Sequence, residues 1–372
     1  TRADILVYGP GELQAVEIAR RLDRGEGLDG VRGTAIIRAE PPAGALVIPP
    51  FEEVRDDKAR FAEAQKRLTN RKTIAQKHAN RFVVQYPAPD TTPADLDRVY
   101  GLPFTRRIPE GFPELAMARF SVQTHRGCVG RCSFCALSLH QGERIVSRSE
   151  ASILEEVRRM TKHPEWKGFV DDLGGPTANM YGLDAAGIAP AHRRLIALMR
   201  AVRKVPGVKK VFVRSGIRYD LALECPDYVR ELARHHVSGL LKIAPEHVSE
   251  MVLKLMNKSG GRKRLDEFRK LFEAVAEKTG GRPQHLKYYF MVAHPGTTEK
   301  EARELADFLR ELERSGEKPV EGVQIFTPTP MTRSTCMYHT GLDPITGEPV
   351  YVPRPYAEKK AQKRMLTGQA DD

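Results

Sequence analysis

The sequence predicts an α/β protein built on a partial (β/α)6 TIM-like barrel with an N-terminal α/β remnant before it. From residue 120 onward, strand-like and helix-like segments alternate six times within about 210 residues, which implies parallel strands joined by helical crossovers. Six repeats fall short of a closed eight-fold barrel, and right-handed crossovers curl such a sheet into an open one. Gly174-Gly175-Pro176, Ser215-Gly216, Ala244-Pro245-Glu246, His294-Pro295-Gly296 and Thr327-Pro328 each follow a strand candidate. They fall on the rim where barrels of this kind carry their chemistry.

Upstream, Asp4 to Gly9 reads as a strand, Glu12 to Arg24 as a helix and Ala35 to Ile37 as a second strand, like the tail of a doubly wound unit. Gly9-Pro10-Gly11 invites a nucleotide-binding reading, but the later glycine of the dinucleotide fingerprint is missing and a simple turn is preferred. Lys58 to Ala79 reads as a charged helix and Phe82 to Gln85 as a short strand. The proline-rich stretch from Pro87 to Pro113 reads as a connector lying across the barrel. The resulting segments are 1–86, a linker 87–115, a barrel core 116–335 and a C-terminal extension 336–372.

Within the core the first strand is Phe120 to Thr124. Ser147-Arg-Ser-Glu150 resembles a capping box, with Ile153, Leu154, Val157 and Met160 on one face of the helix that follows. A second strand runs from about Gly168 to Leu173, and Leu195, Leu198, Met199 and Val202 mark its crossover helix. The third covers about Lys210 to Arg214, with a helix after Pro226, and the fourth about Gly239 to Ala244. Gly260-Gly261 then separates two helical pieces. The fifth runs from about His285 to Ala293, Thr298 to Glu301 caps its helix, and Val320 to Thr327 is the sixth. After about Pro344 the chain turns polar and irregular, which reads as a frayed end.

Apolar residues make up 41% of the 372, and no stretch offers the eighteen or more uncharged apolar residues of a membrane span, so a soluble protein is expected. The chain opens at Thr1 without an initiator Met or a signal-peptide pattern, which reads as part of a longer sequence. Five cysteines, three clustered and two isolated (Cys225 and Cys336), form no disulfide framework and fit a reducing cytoplasmic setting. The net charge is +12, with basic groups at Arg106-Arg107, Arg158-Arg159, Arg193-Arg194, Lys209-Lys210, Arg262-Lys263-Arg264 and Lys359-Lys360. They are scattered and lack interleaved aromatics, so solvated faces are preferred over a nucleic-acid patch, while an anionic partner such as RNA stays open.

The densest chemistry lies in His125-Arg-Gly-Cys128-Val-Gly-Arg-Cys132-Ser-Phe-Cys135. Three thiolates this close can hold an iron–sulfur cluster without saturating it, and a four-iron cluster on three cysteines keeps one iron open to another molecule. Gly127 and Gly130 let the backbone curl and bring N–H groups toward the sulfurs, and Phe134 would shield one face. A structural zinc site wants a fourth ligand, and no second Cys-x-x-Cys or His pair is present. His125 could complete a mononuclear site, so zinc stays open beside the preferred cluster.

Taken with the barrel, the Cys-x-x-x-Cys-x-x-Cys loop resembles the radical S-adenosylmethionine (radical SAM) superfamily. Asp172-Leu-Gly-Gly-Pro-Thr-Ala-Asn-Met-Tyr181, Ser215-Gly-Ile-Arg-Tyr-Asp220, Lys242-Ile-Ala-Pro-Glu-His247 and Ala293-His-Pro-Gly-Thr297 further resemble its YgiQ-type branch. The resemblance implies that Cys128, Cys132 and Cys135 hold three irons of a [4Fe–4S] cluster and that SAM chelates the fourth. It places Gly174 and Gly175 against the methionine amino group, with Pro176 where an acidic residue is usual. Ser215 falls where a polar side chain meets ribose or carboxylate. Lys242 and Glu246 are candidates for carboxylate and ribose contacts, or else a structural ion pair, and His294 is a rim candidate for SAM or substrate.

Branch members usually begin with a longer domain similar to cobalamin-binding folds, whose trailing part would be the segment near residues 4–24. They also carry a cysteine-bearing insertion after the position of Tyr181, whereas Gly182 to Pro190 is short and has no Cys. The implied activity is an enzyme that reductively cleaves SAM at the cluster, making a 5′-deoxyadenosyl radical that modifies an unidentified substrate, RNA or protein. It would take its electron from a donor of the flavodoxin or ferredoxin type. Cobalamin-assisted radical methylation and a non-catalytic iron–sulfur RNA-binding or redox-sensing protein are the alternatives. Cys336 and Tyr338 are candidates for a catalytic hydrogen-atom donor, against plain packing roles.

Overall fold

The structure, a computed structural model, describes residues 3–279, 283–317 and 320–367. Its N-terminal unit comprises β1 (Leu6–Val7), α1 (Glu12–Asp23), β2 (Thr34–Arg38), β3 (Leu46–Ile48), α2 (Phe51–Asp56), α3 (Lys58–Arg67), β4 (Ile74–His78) and β5 (Arg81–Gln85). The strands form one sheet in the order β1-β2-β5-β4-β3, antiparallel throughout except between β3 and β4. A doubly wound unit would be parallel, so that expectation for residues 4–37 is not met. Gly9-Pro10-Gly11 is a turn, with Gly9 and Gly11 both at positive φ.

The charged helix expected from Lys58 to Ala79 is also shorter. Asp57 caps α3 by accepting from Ala59 N at 2.7 Å, and the helix ends at Arg67. Ile74 and Ala75 are then drawn into the sheet and buried, and Ala79, at φ 53°, turns the chain into β5. Burial of these side chains outweighs the helix propensity of the surrounding Lys and Gln.

α4 (Pro93–Tyr100) has a full Thr92/Asp95 capping box. A strap of residues 102–119 then crosses toward the barrel, pinned by Arg106. Its guanidinium donates to the Arg119 carbonyl at 2.6 Å and pairs with buried Glu156, which also accepts from fully buried Arg148 at 2.5 Å.

The barrel contains β6 (Ser121–Gln123), β7 (His125–Arg126), α5 (Leu137–Gln141), β8 (Val146–Ser147), α6 (Glu150–Thr161), β9 (Phe169–Val170), β10 (Asp172–Gly174), α7 (Ile188–Arg203) and β11 (Lys210–Val211). It continues through α8 (Tyr219–Ala222), α9 (Pro226–His235), β12 (Leu240–Glu246), α10 (Glu250–Leu255), α11 (Gly261–Glu277), β13 (His285–Val292), α12 (Glu299–Arg314) and β14 (Val320–Ile325). Parallel pairs join β6 to β10, β9 to β11, β12 to β13 and β13 to β14, and a bridge from Ile217 to Ile243 links the halves. Among the described residues β6 and β14 do not pair, so the barrel is open.

The second expected strand splits into β9 and β10, because each half pairs a different neighbour. Helices α6, α7, α9, α11 and α12 cover the outside with a continuous core that includes Val157, Leu198, Leu232, Phe268 and Leu309. Burial of each such side chain contributes about 2 kcal/mol. Ser149, two residues later than the expected cap, opens α6 by accepting from Ser152 N at 3.1 Å. Ser147 instead bonds Asp184 through its amide and hydroxyl, both at 2.9 Å, which fastens the short segment after Tyr181.

The C-terminal extension is not frayed over its described part. α13 (Arg333–Thr340) and α14 (Tyr356–Thr367) follow the last strand, and α14 lies against α12 and β14. Buried Gln362 accepts from Ala293 N at 2.9 Å and donates to Thr297 O at 3.0 Å, so polarity here serves backbone groups inside the fold. Residues 368–372 lie outside the described part.

Candidate functional site

The three clustered cysteines sit on the long loop between β7 and β8, a short antiparallel pair at the end of the first barrel strand. Gly127 starts the loop at φ 89°, and a Cβ there would overlap the Arg144 carbonyl oxygen. Only glycine fits. Cys128 N donates to Gly142 O at 3.0 Å, Cys135 N to Cys132 O at 3.0 Å, and Leu137 N approaches Cys135 Sγ at 3.5 Å.

Distant elements hold the loop from outside. Ser133 N donates to Met256 O and its carbonyl accepts from Ser334 N, both at 2.8 Å, while Asn257 Nδ2 donates to Arg131 O at 2.8 Å. Phe134 packs against a cluster of Val252, Leu253, Met256, Met291, Phe326 and Tyr338.

Beside the loop, His125 is fully buried with Nδ1 at 2.9 Å from Thr124 Oγ1. Burial pushes its pKa down to about 4, so the imidazole is neutral. Its ring fills the space over Gly175, where a Cβ would lie 2.5 Å from Cε1. At Gly174 a Cβ would meet Ser215 Oγ at 3.3 Å. Asp172 clamps the next strand end, accepting from Arg214 N at 2.7 Å, Ser215 N at 3.1 Å and the Ser215 hydroxyl. Gly174, Gly175, Asp172 and Ser215 open onto a cavity of about 570 Å³ whose other wall is the strap, with Phe104, Ile108 and Leu115. The linker therefore lines the chamber as well as crossing it.

Two cations reach the cysteine loop that motif reading did not single out. The Arg218 guanidinium binds Asp220 at 3.1 and 2.7 Å and also Ser259, whose hydroxyl donates to Asp220 at 2.6 Å. A Cβ on Gly130 would stand 2.6 Å from Arg218 Nη1 and 3.4 Å from Cys128 Sγ, so guanidinium and thiol flank the same glycine. Lys258 Nζ lies 3.9 Å from Glu246 Oε1. Glu246 is buried at φ 69° with Oε2 unpartnered, and burial pushes its pKa up to about 7 against the pull of Lys258. Burial also raises the Cys132 and Cys135 thiols, with Lys258 opposing it at both and Arg218 at Cys132.

The remaining candidates scatter. A register shift between Ile243 and Glu246 turns Glu246 toward the cysteines, while Lys242 lines a separate cavity of about 450 Å³ with Tyr289 and Gln324. They form no ion pair with each other among the described residues. Pro176 follows the glycine pair on the loop to Tyr181 and brings no charge. His294 is withdrawn as a cofactor contact, since both ring nitrogens are engaged, Nδ1 with Pro295 O and Nε2 with Ser334 Oγ, each at 2.7 Å. Cys336 is buried in α13 with its thiol pushed up to about 11 by burial. The Tyr338 hydroxyl accepts from Lys359 at 2.5 Å, and its ring packs on the same apolar cluster, with Phe326, that Phe134 packs on.

Comparison with known proteins assigns the family. Residues 122–309 match the model described as "Radical SAM superfamily", residues 1–121 the one described as "Radical SAM N-terminal", and residues 321–371 a domain of unknown function, DUF3362. The chain belongs to the radical SAM superfamily. UPF0313 proteins of Methanosarcina acetivorans, Geobacter sulfurreducens and Methanosarcina mazei are 42%, 45% and 40% identical to it over 98% of its length, which places it in the YgiQ-type branch. The chain spans 56%, 66% and 68% of those relatives.

Two solved radical SAM structures share the fold. The methyltransferase TsrM from Kitasatospora setae, with cobalamin and [4Fe–4S] cluster bound, has a TM-score of 0.52 at 17% identity over 98% of this chain and 62% of its own. The cobalamin-dependent enzyme OxsB, with aqua-cobalamin and SAM bound, has a TM-score of 0.52 at 13% identity over 98% of this chain and 39% of its own. Among the described residues, no helix is long and apolar enough to cross a membrane.

The radical SAM family uses a [4Fe–4S] cluster and SAM, and the donor set here suits such a cluster. Three unpaired thiols share one loop. Among the described residues no three His, Cys, Asp or Glu side chains converge closely enough to hold one metal ion. A cluster takes each of the three thiolates on a different iron.

Proposed function

We propose that this chain is the catalytic core of a radical SAM enzyme, with Cys128, Cys132 and Cys135 as cluster ligands and the chamber beside Gly174 and Gly175 as the SAM site. The observation that carries the reading is that His125, at the base of the three-thiol loop, packs on Gly175 of a side-chain-free glycine pair facing a cavity of about 570 Å³. When bound, the cluster supplies an electron that cleaves SAM and generates a carbon radical able to take a hydrogen atom from substrate.

The protein's own residues bind, orient and shield. Gly174 and Gly175 leave backbone groups accessible, Asp172 holds the Ser215 hydroxyl at the chamber, and the strap, anchored by Arg106 and Glu156, forms the opposite wall. Phe134 seals the loop on one side. A low-potential flavodoxin or ferredoxin would provide the electron in the cytoplasm, and the substrate class proposed is RNA or protein.

A second reading is cobalamin-assisted methyl transfer, favoured by the fold shared with TsrM and OxsB and by the greater length of the relatives. Retention of a corrinoid by a full-length relative would support it, and clean absence after supplementation would count against it.

The test of the main reading is anaerobic incubation of the reconstituted chain with SAM and dithionite. Steady release of 5′-deoxyadenosine is expected, with iron and cleavage lost together in Cys132→Ala. An intact cluster that never cleaves SAM would refute the enzyme reading.

A further inference from the structure

We infer that Arg218 and Lys258 are electrostatic positioning residues that compensate the negative charge of the cluster and raise its reduction potential. The inference rests on the proposed assignment of the cluster to Cys128, Cys132 and Cys135. Three thiolates outweigh the positive charge of a four-iron core, so the assembled site is anionic and becomes more so on accepting an electron. A fixed cation nearby stabilises the reduced state more than the oxidised one, and does so strongly where water is excluded.

Both cations come from outside the cysteine loop, by different routes. Arg218 follows the third strand, and its side chain, 10% exposed, is held in one orientation by Asp220 and Ser259. Its backbone is fixed as well, Arg218 N donating to Asn179 Oδ1 at 2.9 Å and its carbonyl accepting from Asn179 Nδ2 at 3.0 Å. The absence of a side chain at Gly130 is what lets Arg218 approach Cys128, since a Cβ there would collide with Nη1.

Lys258 leaves the end of α10 after Asn257, which adopts positive φ and bonds the cysteine loop through Arg131 O. Its side chain is also 10% exposed. The countercharges are Asp220 and Glu246. Asp220 is the bidentate partner of Arg218, while Glu246 faces Lys258 at 3.9 Å and leaves its other oxygen unbonded. At Cys132 both cations act, and they outweigh the opposing carboxylate of Glu246.

The measurement is the midpoint potential of the anaerobically reconstituted chain, titrated with dithionite as the one-electron reductant and followed by the reduced-cluster electron paramagnetic resonance signal, with iron and sulfide counted in parallel. Arg218→Gln and Lys258→Met are each expected to shift the midpoint to more negative values at wild-type iron content. Arg218→Lys, which keeps the charge, should stay close to wild type, whereas a role in shape alone would make it resemble Arg218→Gln. Should Arg218→Gln fail to fold, Lys258→Met decides. Unchanged midpoints at full iron loading overturn the inference while leaving the cluster assignment standing. Wild-type protein that binds no iron overturns the cluster assignment itself.

Discussion

At Gly127 a single missing methyl group permits the cysteine loop. Alanine there would face both a positive φ and the Arg144 carbonyl, so Gly127→Ala is expected to cost about 2 kcal/mol and most of the bound iron, read by denaturant unfolding and iron assay. The buried histidines set a pH dependence. Burial pushes His247 down to about 4 and His294 down to about 3, so each stays neutral in the fold but protonates in the unfolded chain below about 6.5. The unfolded state then binds more protons, and stability falls with pH. By pH 5 each should cost about 2 kcal/mol relative to neutral pH, as should His125, and His294→Gln should remove its own share in unfolding curves measured at pH 7 and 5. The cysteines and glycines of the site were legible because their meaning lies in short spacing. Arg218 and Lys258 were not, since they stand far along the chain from Cys128 and only packing brings them to it.

Among the elements, the barrel strands could be read from alternation, while their pairing could not. The second strand looked continuous from Gly168 to Leu173, yet β9 and β10 serve different neighbours, a choice made by the curvature of the sheet. The helix expected over Lys58 to Ala79 failed for a related reason, because Ile74 and Ala75 find a sheet to enter. α14 shows the opposite case, a polar segment ordered by one buried amide. Gln362→Leu leaves Ala293 N and Thr297 O without partners and should destabilise by about 3 kcal/mol. Limited proteolysis should then release α14 before the barrel is cut, and equal cleavage in both proteins would argue that the helix is held by other contacts.

Over the whole molecule, the N-terminal unit, strap, barrel and C-terminal helices meet around the rim. Gln65 of α3 donates to Met331 O at 3.1 Å, and Ser334 of α13 supports the cysteine loop. If the chamber is the SAM site, ligand binds only the folded state. SAM at a hundredfold excess over its dissociation constant should then add about 2.7 kcal/mol, seen as a rise of the melting temperature in reconstituted protein. The same addition should leave Cys132→Ala unmoved, and an equal rise there would place SAM elsewhere.

By itself the sequence determined the parallel α/β core, the three-thiol loop and the glycine pair, because periodicity and short spacing are properties of neighbouring residues. Tertiary structure alone decided the antiparallel N-terminal sheet, the withdrawal of His294, the tether through Gln362 and the cations at the cysteines. Those depend on which remote side chains share one buried volume, and burial, with its demand that every charge and amide find a partner, is settled only when the whole chain has closed.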